Sequence, residues 1–322
     1  MKAAVIRDFK AGPRYETDFP APKADAKDDE GVSIEVLAAA LSPRARSGAS
    51  GQHYTSNGVL PLVPGVDGVG RLGDGRRVYF VAHDDAFGPM AERTLADARM
   101  MVPLPEAASA AEVAALMLPA MSSWVALTRR VAPAPGQRVL VLGATGTSGQ
   151  LAVQVAKHLG AGHVVAAGRD AAALERTRSR GADAVVQLTG DGKADGQAVA
   201  AAASEVDVVL DYLWGAVTST VLPAMCRARQ AEGRALHWVL IGSAAGDEIA
   251  LSSVLLRKRN LHVLGSGQGA VSTRDMFGAA PDIMRAYAAG KLAVDARAVP
   301  LAEVDTWWSA KVGSGERIVF VP

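Results

Sequence analysis

The chain has 322 residues, with 34 Lys and Arg against 33 Asp and Glu and a single cysteine, Cys226. That length suggests two domains of about 100–200 residues each, and a net charge of +1 supplies no strong field toward nucleic acid or anionic lipid. One cysteine excludes an intramolecular disulfide framework and any cysteine-rich zinc site. Apolar runs such as 139–142 and 238–241 fall far short of the ~18 residues of a membrane span. The opening residues carry Arg7 and Asp8 where a secretory segment would stay apolar. The expectation is a soluble, cytoplasmic protein that does not engage a membrane.

From the start to about residue 120, Gly and Pro punctuate short apolar runs. Segments 2–7, 32–40, 68–71, 77–81 and 100–102 have strand length, and Asp74-Gly75 is a tight-turn dipeptide between two of them. Residues 22–31, rich in Lys and Asp, read as a solvated loop. An Ala-rich helical pattern follows over 109–117 and continues over 124–131, until Pro133 and Pro135 stop it. Strands at 138–142, 163–167, 183–187, 206–212, 238–242 and 261–265 then follow one another. Helical patterns stand between the earlier ones, at 148–159, 171–180 and 198–203. Strands alternating with helices argue for a parallel sheet wound on both sides. Residues 190–196 read as a polar loop, and 294–322 as short strands, with Trp307 and Trp308 packing between them.

The strongest local signal is Val139-Leu-Val-Leu-Gly143-Ala-Thr-Gly146-Thr-Ser-Gly149. Strand, glycine turn and helix come in the order a dinucleotide site requires. Gly143 makes the turn, Gly146 lets the backbone approach a pyrophosphate, and Gly149 lets the helix pack on the strand. Amides at the helix start would face the phosphates. Ala144, Thr145, Thr147 and Ser148 complete this candidate cofactor-binding turn. At the end of the next strand stand Gly168, Arg169 and Asp170. Gly168 leaves room for a 2′-phosphate and Arg169 supplies a forked donor. Asp170 is either a ribose ligand or the N-cap of the helix 171–180. The cap reading is favoured, and with it NADPH over NADH.

Taken together, the residues resemble the zinc-independent quinone oxidoreductases of the medium-chain dehydrogenase/reductase superfamily. The resemblance rests on Met1-Lys-Ala-Ala-Val-Ile, Leu41-Ser-Pro43, Pro64-Gly-Val-Asp-Gly68, Pro119-Ala-Met-Ser-Ser-Trp124, the glycine turn, Asp207-Val-Val-Leu-Asp211-Tyr212, Ile241-Gly-Ser243, Leu264-Gly-Ser-Gly267 and Gly315-Glu-Arg-Ile-Val-Phe320. It implies an α/β fold: a Rossmann doubly wound parallel sheet, residues 120–269, inserted in a GroES-like β-rich catalytic domain, residues 1–119 and 270–322. It further implies NADPH-dependent reduction of a quinone or α,β-unsaturated carbonyl, and a homodimer paired at the 261–265 strand. Ser122, Leu213, Ile241, Gly242, Ser243, Gly265 and Ser266 would meet the cofactor, and Lys311 would add a cation for the 2′-phosphate. The zinc branch has His and Glu where this chain has Val66 and Asp67, so no metal is expected.

The family's loop of Asn-Pro, an acidic residue, Tyr and Arg-Ser-Gly is replaced here by Ser42-Pro43, Ala45, Ser47 and Ala49-Ser50-Gly51. Water or a hydroxyl would return the proton, which makes Ser42, Ser47 and the nearby His53 the candidate catalytic positions. Tyr287-Ala-Ala-Gly-Lys291 imitates the short-chain dehydrogenase motif, but reads better as the end of a helix over 282–289 stopped by Gly290. Alternatives are an enoyl-thioester reductase, or a family member that binds NADPH or RNA without turnover. The +1 charge and the lack of a basic stripe argue against RNA.

Overall fold

The computed structural model describes residues 1–23, 31–84, 86–132 and 134–322. Residues 24–30 of the expected solvated loop lie outside the described residues, as do Asp85 and Pro133. The chain forms two compact units, Met1–Leu118 with Ala293–Pro322, and Pro119–Leu292. The sequence placed the second crossing at 269/270. It falls later because the helix Ala280–Ala288 has a buried face, Ala280, Ile283, Met284 and Ala286, that belongs with the central unit.

In chain order the first unit contributes β1 (Ala3–Val5), β2 (Arg14–Glu16), β3 (Gly31–Ala40), α1 (Pro43–Ala49), β4 (Asp67–Arg71), β5 (Arg77–Ala82) and β6 (Arg93–Pro103). Asp74 and Gly75, the latter at φ +89°, turn β4 into β5, as a tight-turn dipeptide should. The sheet runs β13-β14-β3-β4-β5-β6, where β13 is Asp295–Pro300 and β14 is Glu316–Val321, and β6 also pairs with β3. Ile34, Val36, Val78 and Phe80 fill the interior beneath these strands. Trp307 and Trp308 pack against a second cluster built on Ala3–Val5, Phe19 and Phe320. Segment 43–49 is helix rather than loop. Ser42 caps it by accepting the amide of Ala45 (3.0 Å), and Pro43 occupies its first turn.

The division between the units falls inside α2 (Ala110–Val125), whose residues from Pro119 on belong to the central unit and run on through a π-helical turn at Ala126–Arg130. The central unit then contains β7 (Arg138–Leu142), α3 (Thr147–His158), β8 (His163–Gly168), α4 (Ala171–Ser179), β9 (Ala184–Gln187), α5 (Gly192–Ala203), β10 (Val208–Asp211), α6 (Gly215–Ala228), β11 (Leu236–Leu240), α7 (Ser253–Lys258), β12 (Leu261–Gly265), α8 (Thr273–Phe277) and α9 (Ala280–Ala288). All six strands are parallel, in the order β12-β11-β10-β7-β8-β9. Ala110–Arg130 is long and apolar enough to cross a membrane by length and composition, which the short-run reading overlooked. With 72% of its most apolar window buried inside the protein, it also meets the description of a core helix.

Segment 190–196 is not a polar loop but the start of α5. Asp191 accepts the amides of Lys193 and Ala194, and buried Asp195 accepts from Thr189 and Gly190. Gly196 lets α6 approach, since a Cβ there would stand 3.0 Å from the Thr220 carbonyl. The sheet core is largely aliphatic, with Leu140, Val165 and Val209 fully buried beside the indole of Trp238. Chain connectivity leaves β7 toward β8 on one side and returns to β10 on the other. The carboxyl ends of β7 and β10 therefore form a topological switch point, where open α/β sheets bind ligands.

Candidate functional site

The glycine turn sits at that switch point. Gly143 follows β7 at φ +89°, a conformation that favours glycine, and the Gly143 and Ala144 amides both donate to the Ala167 carbonyl (2.9 Å each). A Cβ on Gly149 would lie 2.2 Å from the Gly143 carbonyl oxygen, so only glycine lets α3 seat against the turn. Gly146 differs. Its φ is −76°, and a Cβ there would meet no neighbour nearer than 3.8 Å, so neither strain nor crowding inside the protein requires glycine. As N-cap it offers no side chain to the first turn of α3, whereas Asp170 and Asp191 cap α4 and α5. The turn thus keeps an open approach to uncapped helix amides, the arrangement that receives phosphate.

Strand register aligns the other candidates along the same sheet edge. Leu142 stands opposite Asp211, Asp211 opposite Leu240, and Leu240 opposite Gly265. Ile241 and Gly242 donate their amides to the Asp211 carbonyl (2.8 and 3.1 Å), while Ser266 donates to that of Leu240 (2.8 Å). Ser243 is exposed on the loop that follows β11. Leu213 leans on the glycine turn, since a Cβ placed on Gly143 would lie 3.1 Å from its Cδ2. Arg130, which sequence reasoning missed, donates to the Gly265 carbonyl (2.8 Å) and ties the end of α2 to β12.

Ser122 donates to the Pro119 carbonyl (2.7 Å) and lies 3.0 Å from the Tyr212 hydroxyl. Burial, only partly offset by hydrogen bonds with Ser122 and Ser123, pushes that phenol up to about 12, so it remains protonated at neutral pH. At β8, Asp170 is the N-cap of α4, accepting the Ala173 amide at 2.9 Å. Gly168 is buried at the end of β8, so the room the sequence suggested does not lie over its own Cα. The Thr145 side chain fills that space, 2.5 Å from where a Cβ would stand. Arg169 is exposed, and its guanidinium donates to no protein group among the described residues.

The remaining candidates belong to the first unit. The Ser42 oxygen is buried in its cap, and the Ser47 hydroxyl donates to the Arg44 carbonyl (3.1 Å). His53 stacks on Tyr54 with ring centroids 4.3 Å apart. Its Nδ1 accepts the Thr55 amide (3.2 Å) and lies 2.8 Å from the Thr55 hydroxyl. That bond places the proton of the neutral ring on Nε2. Lys311 is exposed. The decoy Tyr287 lies on α9, whose end Gly290 terminates at φ +67°.

Asp67, where the zinc branch carries Glu, is buried and accepts the hydroxyl of buried Tyr79 (3.0 Å). Burial pushes its carboxyl up to about 6, against the opposing pull of Tyr79 and Arg317. Burial likewise pulls Arg317 down to about 10. The folded chain therefore holds the Asp67 proton between about pH 4 and 6, where an unfolded chain has released it. This contribution to stability is greatest below that window and is lost as pH rises through 6. Asp67→Asn keeps an acceptor for Tyr79 without the charge. Its Tm should exceed that of the parent at pH 7.5, by the equivalent of about 2–3 kcal/mol, and the difference should vanish near pH 4. Equal melting shifts at both pH values would contradict this.

A family model described as zinc-binding dehydrogenase matches residues 149–284. The probable NADPH-dependent quinone reductase tdiC of Emericella nidulans is 30% identical, over the whole of both chains. The chain belongs to the quinone oxidoreductase branch of the medium-chain dehydrogenase/reductase superfamily. The 2-methylene-furan-3-one reductase of Solanum lycopersicum is 31% identical over 59% of this chain and 52% of its own. The structure of the Thermus thermophilus quinone oxidoreductase, described also in complex with NADPH, superposes over the whole of both chains with a TM-score of 0.80 and 26% identity. Within this superfamily the arrangement is the expected one, a parallel Rossmann-like sheet and a β-rich unit built from both chain ends.

Proposed function

We propose that this quinone oxidoreductase family member is an NADPH-dependent enzyme that reduces a quinone or an α,β-unsaturated carbonyl without metal. The observation that carries the reading is the open, uncapped glycine turn at the β7–β10 switch point. Gly143–Gly149 would hold the pyrophosphate, and Arg169 the 2′-phosphate, with Asp170 already committed to α4. Ser122, Leu213, Ile241, Gly242, Ser243, Gly265 and Ser266 would line the nicotinamide half. When bound, the dinucleotide supplies a hydride to an electron-poor double bond. The relatives' names, a quinone reductase and an enone-type reductase, agree with such acceptors.

The chain's own part is to bind, orient and return a proton. Of the three catalytic candidates, Ser42 and Ser47 are tied to backbone groups, which leaves His53, with its proton on Nε2, as the donor we carry forward. Absence of zinc is supported by Val66, which offers no ligand atom, and by the Asp67 carboxylate being bound to Tyr79. The family model named for zinc matches only beyond both positions. Elemental analysis finding one zinc per chain, lost together with activity on chelation, would overturn that part.

A homodimer is supported by β12, which pairs only with β11 among the described strands and exposes Val263. The neighbouring Leu251, Val254 and Leu256 are exposed as well. Light scattering of the purified protein should return twice the chain mass; a monomer would refute it. A cytoplasmic location is proposed with it, and fractionation of cells expressing the chain tests it. The function itself is tested by following the nicotinamide absorbance with a panel of benzoquinones and enones. Consumption of NADPH in step with acceptor is expected. Binding without consumption would make the protein a nucleotide binder, and no binding would end the reading.

A further inference from the structure

A carboxylate outside the predicted site organises the wall that faces the glycine turn. Asp211 ends β10, is fully buried, and stands between Leu142 and Leu240 on the sheet edge. Its Oδ1 accepts the amides of Leu213 (2.8 Å) and Trp214 (2.9 Å). Its Oδ2 accepts the Thr218 hydroxyl (2.5 Å) and the Trp238 indole Nε1–H (2.8 Å). Four donors fill both oxygens, from the loop, α6 and β11, so the buried charge is compensated by fixed dipoles.

The segment so held is not relaxed. Trp214 adopts φ 53° and ψ −152°, a region almost reserved for glycine. Gly215 follows at φ +50°, with the Ala245 carbonyl 2.1 Å from where a Cβ would stand. The Ala245 amide closes the other side by donating to the Leu213 carbonyl (2.7 Å). Strained backbone of this kind persists only where its surroundings over-determine it, and here they do. The product of that strain is the position of Leu213, whose side chain meets Gly143, the first residue of the turn.

We infer that Asp211 is a positioning residue for the dinucleotide: through the amides of Leu213 and Trp214 it fixes Leu213 against the glycine turn, so that the cofactor meets a rigid wall. This rests on the functional reading above. Asp211→Asn has the same shape but turns one acceptor into a donor, which must oppose either the two amides or Thr218 and Trp238. The expected result is a rise of roughly tenfold or more in the KM for NADPH, with kcat at saturation within about threefold of the parent. Hydrogen exchange at the Leu213 and Trp214 amides should accelerate.

Thr218→Val removes an Oδ2 donor and leaves both amides on Oδ1, so it should lower Tm with little change in KM. Leu213→Ala removes the wall without touching the carboxylate and should reproduce the KM rise; it decides the matter even if Asp211→Asn fails to fold. An unchanged KM in Leu213→Ala, or KM changes that follow Tm alike in all the variants, would overturn the inference. A parent protein that binds NADPH while its variants match it sinks only this inference. A parent that binds no NADPH sinks the functional reading with it.

Discussion

Gly146→Val is expected to abolish NADPH binding while the protein stays folded. The position is unusual among the three glycines of the turn. Gly143 needs a positive φ and Gly149 has no space for a Cβ, but Gly146 has φ −76° and open surroundings. Valine can therefore be built there without disturbing the protein. Its branched side chain would instead occupy the approach to the first-turn amides of α3. Hydrogen bonds to charged groups contribute about 1.5–3 kcal/mol each, so losing two of them costs roughly a hundredfold in affinity or more. Tryptophan fluorescence with added NADPH reads the binding, and a thermal melt of the protein alone reads the fold. A melt unchanged within about 2 °C, together with lost binding, is expected. Retained affinity in a folded variant would move the dinucleotide elsewhere. Gly149→Ala provides the contrast: its Cβ would collide with the Gly143 carbonyl, so Tm should fall first.

Arg169→Ala should weaken NADPH by roughly ten- to a hundredfold and leave NADH nearly unchanged, the equivalent of losing one charge-assisted bond of about 1.5–3 kcal/mol. Arg169 follows the end of β8, and no protein acceptor among the described residues holds its guanidinium. Asp170, the residue that could have selected NADH by binding ribose, spends an oxygen on the Ala173 amide. On the proposed reading, selectivity would rest on the cation, since Thr145 occupies the space a Cβ on Gly168 would take. Titration of both dinucleotides against parent and variant checks this. Equal losses for the two would show that Arg169 does not read the 2′-phosphate.

What the sequence determined by itself is what short-range chemistry encodes. The spacing of Gly143, Gly146 and Gly149 between an aliphatic strand and a helix is local, and so is the Asp170 cap, formed with an amide three residues on. The helical start at Ser42-Pro43 is read from the sequence as loop, although a capping hydroxyl followed by proline is a helix-start signal. The family loop hid it. The fold class was legible because alternation of strands and helices leaves few topologies open.

Tertiary structure decided the rest, wherever a side chain's partner lies far along the chain. Gly168 looks spacious in sequence, yet Thr145 from the turn of the neighbouring strand fills its space. Segment 190–196 reads as a polar loop, until Thr220 of α6, far along the chain, packs on Gly196. Asp211 takes the amides of Leu213 and Trp214 and the Thr218 hydroxyl locally, as a turn carboxylate does, but its fourth donor, the Trp238 indole, comes from the adjacent strand. A carboxylate in sequence is only a charge. Which donors desolvate with it is settled when strands β10 and β11 pair, and that pairing makes Asp211 part of the wall beside the glycine turn.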